Sequence, residues 1–314
     1  MTGRRVLVLG ATGFLGRHIA DAFEAAGDRV LRVSRTAPPD AAGRRAAFDL
    51  TAATAAGLAA FLAAHRPDVV VNAAGTVWQA DEQRMRELND AFVRRLVTVL
   101  PELPAPVRLV QLGSVHEYGP TPAGVPLTED LPAAPAGTYG RTKLAGTRWV
   151  LDAAQGGLDA VVVRVANACG PGAPPESLLG KVAAELARQA ADPAAPGELR
   201  LAPLRAMRDF VDVRDAADAV LAAAGAPRGV AAGLLVNIGR GEAVPVRRLV
   251  DRMIALSGLP VRLVEEAPAD GTRSTTEWQR TDITRARRLL GWHPRRELDE
   301  SLRDLLTATR LAPV

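Results

Sequence analysis

Tyr139 and Lys143, four residues apart in the segment Tyr139-Gly-Arg-Thr-Lys143, are the pair best suited to move a proton. On a helix, an i, i+4 spacing puts both side chains on one face. An ammonium beside a phenol favours the phenolate and lowers a pKa that is ordinarily about 10. That tuning suits a tyrosine general acid/base. Lys143 is one of only two lysines in the chain, the other being Lys181. Ser114 lies 25 residues before the tyrosine and follows an apolar run, Val107 to Leu112, that reads as a strand. A serine at the C-terminal end of such a strand can hydrogen-bond a carbonyl oxygen, and open α/β sheets bind their ligands at that end.

The elements that must position this trio begin at the N-terminus. Val6 to Leu9 is short and apolar enough for a buried strand. Gly10, Gly13 and Gly16 follow in a G-x-x-G-x-x-G spacing, and Arg17 to Ala26 reads as a helix. Glycine lets the backbone turn tightly and lets a pyrophosphate approach, while free N–H groups and the helix dipole attract its charge. This stretch is therefore read as a dinucleotide site. Strands are expected at Arg29 to Val33, Ala46 to Phe48, Asp68 to Asn72 and Ala160 to Val165, with helices at Thr54 to Ala64, Arg84 to Leu100 and Tyr139 to Ala154. Such alternation implies an α/β fold, a Rossmann-type doubly wound parallel sheet covered on both faces. After Val165 the alternation loosens, implying a smaller, discontinuous substrate domain. The expected division gives residues 1–166 and 209–240 to the dinucleotide and 167–208 and 241–314 to the substrate, with Phe210 to Gly239 returning to the sheet. Pro120 to Pro135 is too proline-rich for regular structure and reads as a loop beside the site.

The second strand bears on the cofactor. A carboxylate at its end accepts from the 2′-hydroxyl of NAD and repels the 2′-phosphate of NADP. Here the strand ends in Ser34 and Arg35, and a guanidinium pairs well with a phosphate. NADP(H) is the expected cofactor, with NAD(H) possible if Arg35 is simply solvated. Asp49 and Leu50 are placed to contact the adenine.

The composition excludes several classes. Hydrophobic residues make up 48% of 314 and charged residues 24%, enough for a substantial core. The net charge of +4 comes without a Lys/Arg run or an aromatic-interleaved basic stripe, so no nucleic-acid partner is expected. No apolar stretch approaches the roughly 20 residues of a membrane span. The start resembles no signal peptide, so a cytoplasmic, membrane-free protein is expected. Cys169 is the sole cysteine, so no internal disulfide can form. His18, His65 and His293 make no metal-spaced set with it, and no metal is expected.

Taken together, the motifs resemble an extended short-chain dehydrogenase/reductase of the NAD-dependent epimerase/dehydratase type, over nearly the whole chain. They are Gly10-Ala-Thr-Gly13-Phe-Leu-Gly16, Asp49-Leu50, Asn72-Ala-Ala-Gly75, Asn89, Gly113-Ser114 through Tyr118-Gly119, Tyr139 with Lys143, and Arg164-Val-Ala-Asn167 through Gly170-Pro-Gly172. Arg208-Asp-Phe-Val-Asp-Val-Arg-Asp215 and Asp282 through Leu290-Gly-Trp-His-Pro294 complete the set.

The resemblance implies cofactor contacts at Gly10, Thr12, Gly13, Phe14, Leu15, Gly16, Ser34, Arg35, Asp49, Leu50, Asn72, Ala73, Ala74 and Gly75, with Lys143 on the nicotinamide ribose. It implies that Tyr139 handles the proton, that Ser114 holds the substrate oxygen, and that Asn89 supports the site and a proton relay. Asn167 and Arg208 are implied to contact a nucleotide-sugar diphosphate, although Arg208 can equally pair with Asp209, Asp212 or Asp215. Arg273 falls near a further family arginine, one residue off its spacing. A homodimer through a four-helix bundle is also implied, with Arg95, Val99, Trp149 and Val150 either facing a partner or packing on the sheet.

Dehydratases of the family carry an Asp-Glu pair after the Ser/Thr. Val115-His116 stands there instead, which argues against elimination of water. Epimerases usually keep NAD bound, which suits Ser34-Arg35 poorly. The Gly113 to Gly119 and Asn167 to Gly172 segments resemble NDP-4-keto-6-deoxyhexose reductases. The expected reaction is reduction of such a 4-keto group on a dTDP-linked sugar, with Tyr139 as acid. A nucleotide-sugar epimerase with bound NAD, a reductase of a non-nucleotide natural-product ketone and a dinucleotide-sensing binder are the alternatives. His116 can line the sugar pocket or act as a second acid, or be only structural.

Overall fold

The computed structural model describes residues 3–36, 43–76, 81–192, 197–266 and 278–310. In order, the elements are β1 (Arg5–Leu9), α1 (Phe14–Ala25), β2 (Arg29–Ser34), β3 (Arg45–Ala47), α2 (Ala55–His65), β4 (Val69–Asn72), α3 (Glu82–Arg86), α4 (Phe92–Val99), β5 (Arg108–Ser114), α5 (Thr138–Gln155) and β6 (Ala160–Val165). There follow β7 (Asn167–Cys169), α6 (Leu178–Ala191), β8 (Glu198–Leu201), β9 (Met207–Arg208), β10 (Phe210–Asp212), α7 (Val213–Gly225), α8 (Arg228–Ala231), β11 (Leu234–Ile238), β12 (Val244–Pro245), α9 (Val246–Ser257), β13 (Arg262–Glu265), α10 (Thr284–Leu290) and α11 (Leu298–Arg310).

Seven parallel strands form the main sheet in the order β11-β6-β5-β4-β1-β2-β3. The central strands are nearly unbroken runs of branched aliphatic residues, as a sheet buried on both faces requires. Their side chains alternate between two cores. Val6, Val8, Val161 and Val163 join Ile19 and Phe23 of α1 and Val220 of α7 on one face. Leu7, Leu9 and Val162 join Leu58 and Leu62 of α2, Phe92 and Leu96 of α4 and Val150 of α5 on the other. The strand order reverses between β1 and β4, which leaves a crevice beyond their C-terminal ends, where open α/β sheets take ligands. A third cluster, separate from the sheet, packs Leu179, Val182 and Leu186 of α6 against Leu249 and Met253 of α9 and Leu302 and Leu305 of α11.

Two expectations need correction. Phe210 to Gly239 does not rejoin the sheet as a unit. Only β11 does so, while β10 pairs in parallel with β7 in a two-stranded sheet of its own. The helix expected from Arg84 to Leu100 starts at Glu82 and is interrupted by a π-turn, Glu87–Ala91, centred on Asn89. Periodicity does not reveal one extra residue in a turn, and such bulges are often found at functional sites.

The glycine turn is held by close packing. A Cβ on Gly16 would lie 2.1 Å from the Gly10 carbonyl oxygen, and one on Gly10, whose φ is +75°, would lie 2.8 Å from Ala74 Cα. Gly16→Ala is expected to push α1 off β1. Thermal unfolding should show the loss of stability, and titration with NADPH should show weaker binding than in the parent chain.

Candidate active site

The glycine turn makes an open anion site. Gly13 caps α1 without a side chain, so the first helical N–H groups face outward with no side-chain acceptor. The facing wall is Ala73 to Gly75. Asn72, expected to touch cofactor, is fully buried and turned inward: its Nδ2 donates to Gln111 Oε1 at 2.8 Å and its Oδ1 accepts from Ala74 N at 3.2 Å. It sets the backbone of that wall. At the end of β2, Ser34 Oγ is buried with no hydrogen-bond partner, and Arg35 beside it is exposed. Asp49 accepts from Thr51 Oγ1 at 2.7 Å and Thr51 N at 2.9 Å. These bonds, helped by the charge of Arg35, hold its carboxyl below the usual range. An open helix end, an unused buried hydroxyl and a nearby guanidinium fit a nicotinamide dinucleotide.

Ser114 ends β5 and caps a single 3₁₀ turn, Val115–Glu117. The cap is reciprocal. Ser114 Oγ accepts from His116 N at 3.2 Å, and Glu117 Oε1 accepts from Ser114 N at 2.8 Å. The other Glu117 oxygen accepts from Arg164 Nε at 2.8 Å, and neither side chain reaches solvent. Arg164 lies over the Tyr118 ring at 4.5 Å, and Tyr118 Oη donates to Asn237 Oδ1 at 2.8 Å. Tyr118 is thus a buried packing residue. Gly113 is required here, since a Cβ would come within 2.7 Å of Glu117 Oε1. The Glu117–Arg164 pair was legible only as a lone arginine in an otherwise apolar strand, a buried charge that needs a partner.

Tyr139 and Lys143 lie in the first turns of α5. Desolvation pushes the Tyr139 phenol up to about 12, opposed by a hydrogen bond with Ser114 and assisted by the charge of Glu117. The expected lowering by Lys143 is absent. Lys143 Nζ donates to the Leu112 carbonyl, not to the phenol, and burial lowers its own pKa. Asn89 closes this cluster from the π-turn: its Nδ2 donates to Thr142 Oγ1 at 3.1 Å and to the Thr76 carbonyl at 3.2 Å. Gly146 lets α5 approach, because a Cβ there would meet the Asn89 carbonyl at 2.3 Å.

The structure also brings His116, Asn167 and Arg208 to this cluster. The His116 ring stands edge-on to Tyr139, with centroids 5.9 Å apart. Burial and the Arg208 charge lower its pKa to about 4, against a hydrogen bond with Asn167, so it is neutral near pH 7 and unsuited to act as a second acid. Asn167 departs from expectation. Its Nδ2 donates to the Asp209 carbonyl at 2.8 Å and to Gln279 Oε1 at 3.1 Å, so both amide hydrogens are engaged within the chain rather than free for a diphosphate. Nothing in the sequence singled out Gln279. The acids weighed as partners of Arg208 are committed elsewhere. Asp209 accepts from the backbone of Arg240, Gly241 and Thr281, Asp212 pairs with Arg214, and Asp215 pairs with Arg296. Arg273 lies outside the described residues. The Pro120 to Pro135 segment crosses beside the site, pinned by Leu127 to Arg280 and Asp282 through backbone bonds.

Of the four residues weighed for a dimer, Val99 and Val150 belong to the chain's own core, Arg95 pairs with Glu87, and Trp149 donates to Asp90 Oδ1 at 2.8 Å. Among the described residues no group of three or more His, Cys, Asp or Glu side chains is arranged to hold a metal ion, and no helix is long and apolar enough to cross a membrane.

A nucleotide cradle and a Ser-Tyr-Lys cluster at the strand ends of a parallel sheet define a Rossmann-fold, NAD(P)-dependent enzyme. The model of the NAD dependent epimerase/dehydratase family matches residues 6–239, and the chain belongs to that family. It is 46% identical over 314 residues, 99% of this chain and 97% of the relative, to the dTDP-6-deoxy-L-talose 4-dehydrogenase (NAD(P)(+)) of Kitasatospora kifunensis. It is 30% identical over 335 aligned positions, 98% of this chain and 92% of the relative, to a UDP-glucose 4-epimerase of Azospirillum brasilense. Its fold matches RMD from Pseudomonas aeruginosa complexed with NADPH, with a TM-score of 0.83 at 23% identity, covering 98% of each chain.

Removing Arg164 leaves the Glu117 charge buried and unpaired, which costs about 3–5 kcal/mol, whereas removing both charges costs far less. Urea unfolding of Arg164→Met is therefore expected to show a loss of that size. Adding Glu117→Gln should restore much of it.

Proposed function

We propose that the chain reduces the 4-keto group of a nucleotide-linked 6-deoxyhexose, carried by dTDP, with NADPH favoured. The observation that carries this reading is the buried Tyr139 phenol, 5.9 Å from the His116 ring, in a site where Val115 and His116 stand in place of an acid pair; desolvation, which raises the phenol pKa, supports it. A reduction needs one proton for the new alkoxide and no second acid. Burial favours the protonated phenol, so the proton is held until an alkoxide forms beside it. The relative from K. kifunensis supports the reading, because oxidation at carbon 4 of a dTDP-6-deoxyhexose is the reverse of the proposed step.

A bound nicotinamide dinucleotide supplies the hydride. The α1 N-terminus holds its pyrophosphate, and Ser34 with Arg35 takes the ribose phosphate. Ser114 fixes the substrate oxygen and Tyr139 delivers the proton to it. Lys143, with its ammonium anchored on the Leu112 carbonyl near Gly75, supports the nicotinamide ribose. Arg208, on β9 at the mouth of the cluster, meets the diphosphate. In this reading residues 1–166 and 209–240 serve the dinucleotide, and 167–208 and 241–314 serve the sugar nucleotide.

The test is loss of nicotinamide absorbance with dTDP-4-keto-6-deoxyglucose. NADPH should be consumed in step with ketone, and Tyr139→Phe should lower kcat by about 10²–10⁴-fold. Arg35→Asp should raise KM for NADPH by about 10-fold or more while leaving NADH nearly unchanged. Full activity in Tyr139→Phe would end the mechanism.

A further inference from the structure

Gln111 is an amide in a strand whose other central positions are aliphatic. In β5, Val110 and Leu112 face the core with α1 and α7, while Leu109 faces the core with α2, α4 and α5. Gln111 shares the face of Leu109 by the alternation of a strand, and it is buried. A buried amide is tolerated where its donors and acceptor find partners. Gln111 Oε1 accepts from Asn72 Nδ2 at 2.8 Å, and Gln111 Nε2 donates to the Leu112 carbonyl at 3.0 Å.

That carbonyl is also the acceptor of Lys143 Nζ. A carbonyl oxygen has two lone pairs, so it can hold an amide and an ammonium together. Two nitrogens bonded to one oxygen lie within about 6 Å of each other. With one lone pair taken by Gln111, the ammonium is confined to the other. At the far end of the network, Asn72 Oδ1 accepts from Ala74 N at 3.2 Å. The next residue, Gly75, is exposed, and a Cβ built on it would lie 3.9 Å from Lys143 Nζ. The chain of bonds therefore leaves the wall at Ala74 and returns beside Gly75, through Asn72, Gln111, Leu112 and Lys143 in turn.

We propose that Gln111 is a positioning residue for the cofactor: by holding Asn72 on one side and the acceptor of Lys143 on the other, it fixes the ammonium against the Ala73 to Gly75 wall. The proposal rests on the reading that Lys143 supports the nicotinamide ribose, and it adds the group that aims this lysine. Buried beneath the cleft, Gln111 itself touches neither dinucleotide nor ketone. Its removal is therefore felt in dinucleotide binding, and only while Lys143 is present.

The first test is a double-mutant cycle in binding, which needs no ketone. NADPH and NADH are titrated by fluorescence into the parent chain, Gln111→Leu, Lys143→Met and the double variant. Gln111→Leu should weaken the tighter of the two dinucleotides about 10-fold in the parent and less than about 2-fold in the Lys143→Met background. Gln111→Asn keeps an amide but is too short to span both partners. It should show the same dependence on Lys143, and it decides the outcome if the leucine variant does not fold. Equal losses in the two backgrounds would mean that Gln111 only supports the sheet, and would overturn the proposal. A parent chain that binds neither dinucleotide would overturn the reading of Lys143 and the proposal with it. If the parent binds NADPH but reduces no ketone, the reductase reading fails while the cycle still decides the role of Gln111.

The second test reads the ammonium directly. The chain has two lysines, so protein carrying ¹³C at lysine Cε gives two signals, with Lys143 assigned by its loss in Lys143→Met. In Gln111→Leu and Gln111→Asn the Lys143 signal should move, while that of Lys181, exposed on α6, should stay. A Lys143 signal unchanged in both variants would contradict the shared carbonyl.

Discussion

The carboxylate of Glu117 is the point on which the site depends. One oxygen receives the Ser114 backbone N–H and the other receives Arg164, with both partners out of water. A buried charge is tolerated only when paired and hydrogen-bonded, so this geometry is demanding. It fixes the end of β5, the turn after it and the direction of Ser114. It also links β5 to β6 and, through Arg164 over Tyr118 and Tyr118 to Asn237, to β11. Asn237 in turn donates to the Leu127 carbonyl and so anchors the segment that crosses beside the site.

Burial sets the chemistry of the groups above that pair. It raises the Tyr139 phenol, lowers the Lys143 ammonium and keeps His116 neutral. All three shifts favour uncharged forms, as expected of a cleft that excludes water. A proton donor for an alkoxide benefits from this, because the phenol keeps its proton until a stronger base forms beside it. The negative charge of Glu117 acts in the same direction on Tyr139. The protonation states of these groups are thus set by burial rather than by an adjacent lysine contact.

Much of this was legible in the sequence, for physical reasons. Strands such as Val69–Asn72 and Ala160–Val165 are valine-rich and buried on both faces, as a covered parallel sheet requires. Gly10, Gly13 and Gly16 announced the tight turn before α1, because a side chain at Gly10 or Gly16 would collide with backbone. Tyr139, Lys143 and Ser114 were singled out from type and spacing, and the fold gathers them at one end of β5 and α5. What remained hidden depends on contacts between distant segments. Asn72 and Asn167 look like ligand contacts in a motif, yet their amides are satisfied by Gln111, and by Asp209 and Gln279. The direction of Lys143 Nζ, the π-turn at Asn89 and the separate pairing of β10 with β7 are likewise set by packing that no local pattern records.

The most direct test of the account follows the hydride. NADPH carrying deuterium at the transferable position of the nicotinamide would be incubated with the enzyme and dTDP-4-keto-6-deoxyglucose, and the sugar product examined by NMR. The account predicts one deuterium per molecule at carbon 4, with one NADPH oxidised for each sugar reduced. A sugar whose configuration changes while the NADPH stays intact and the product stays unlabelled would contradict it.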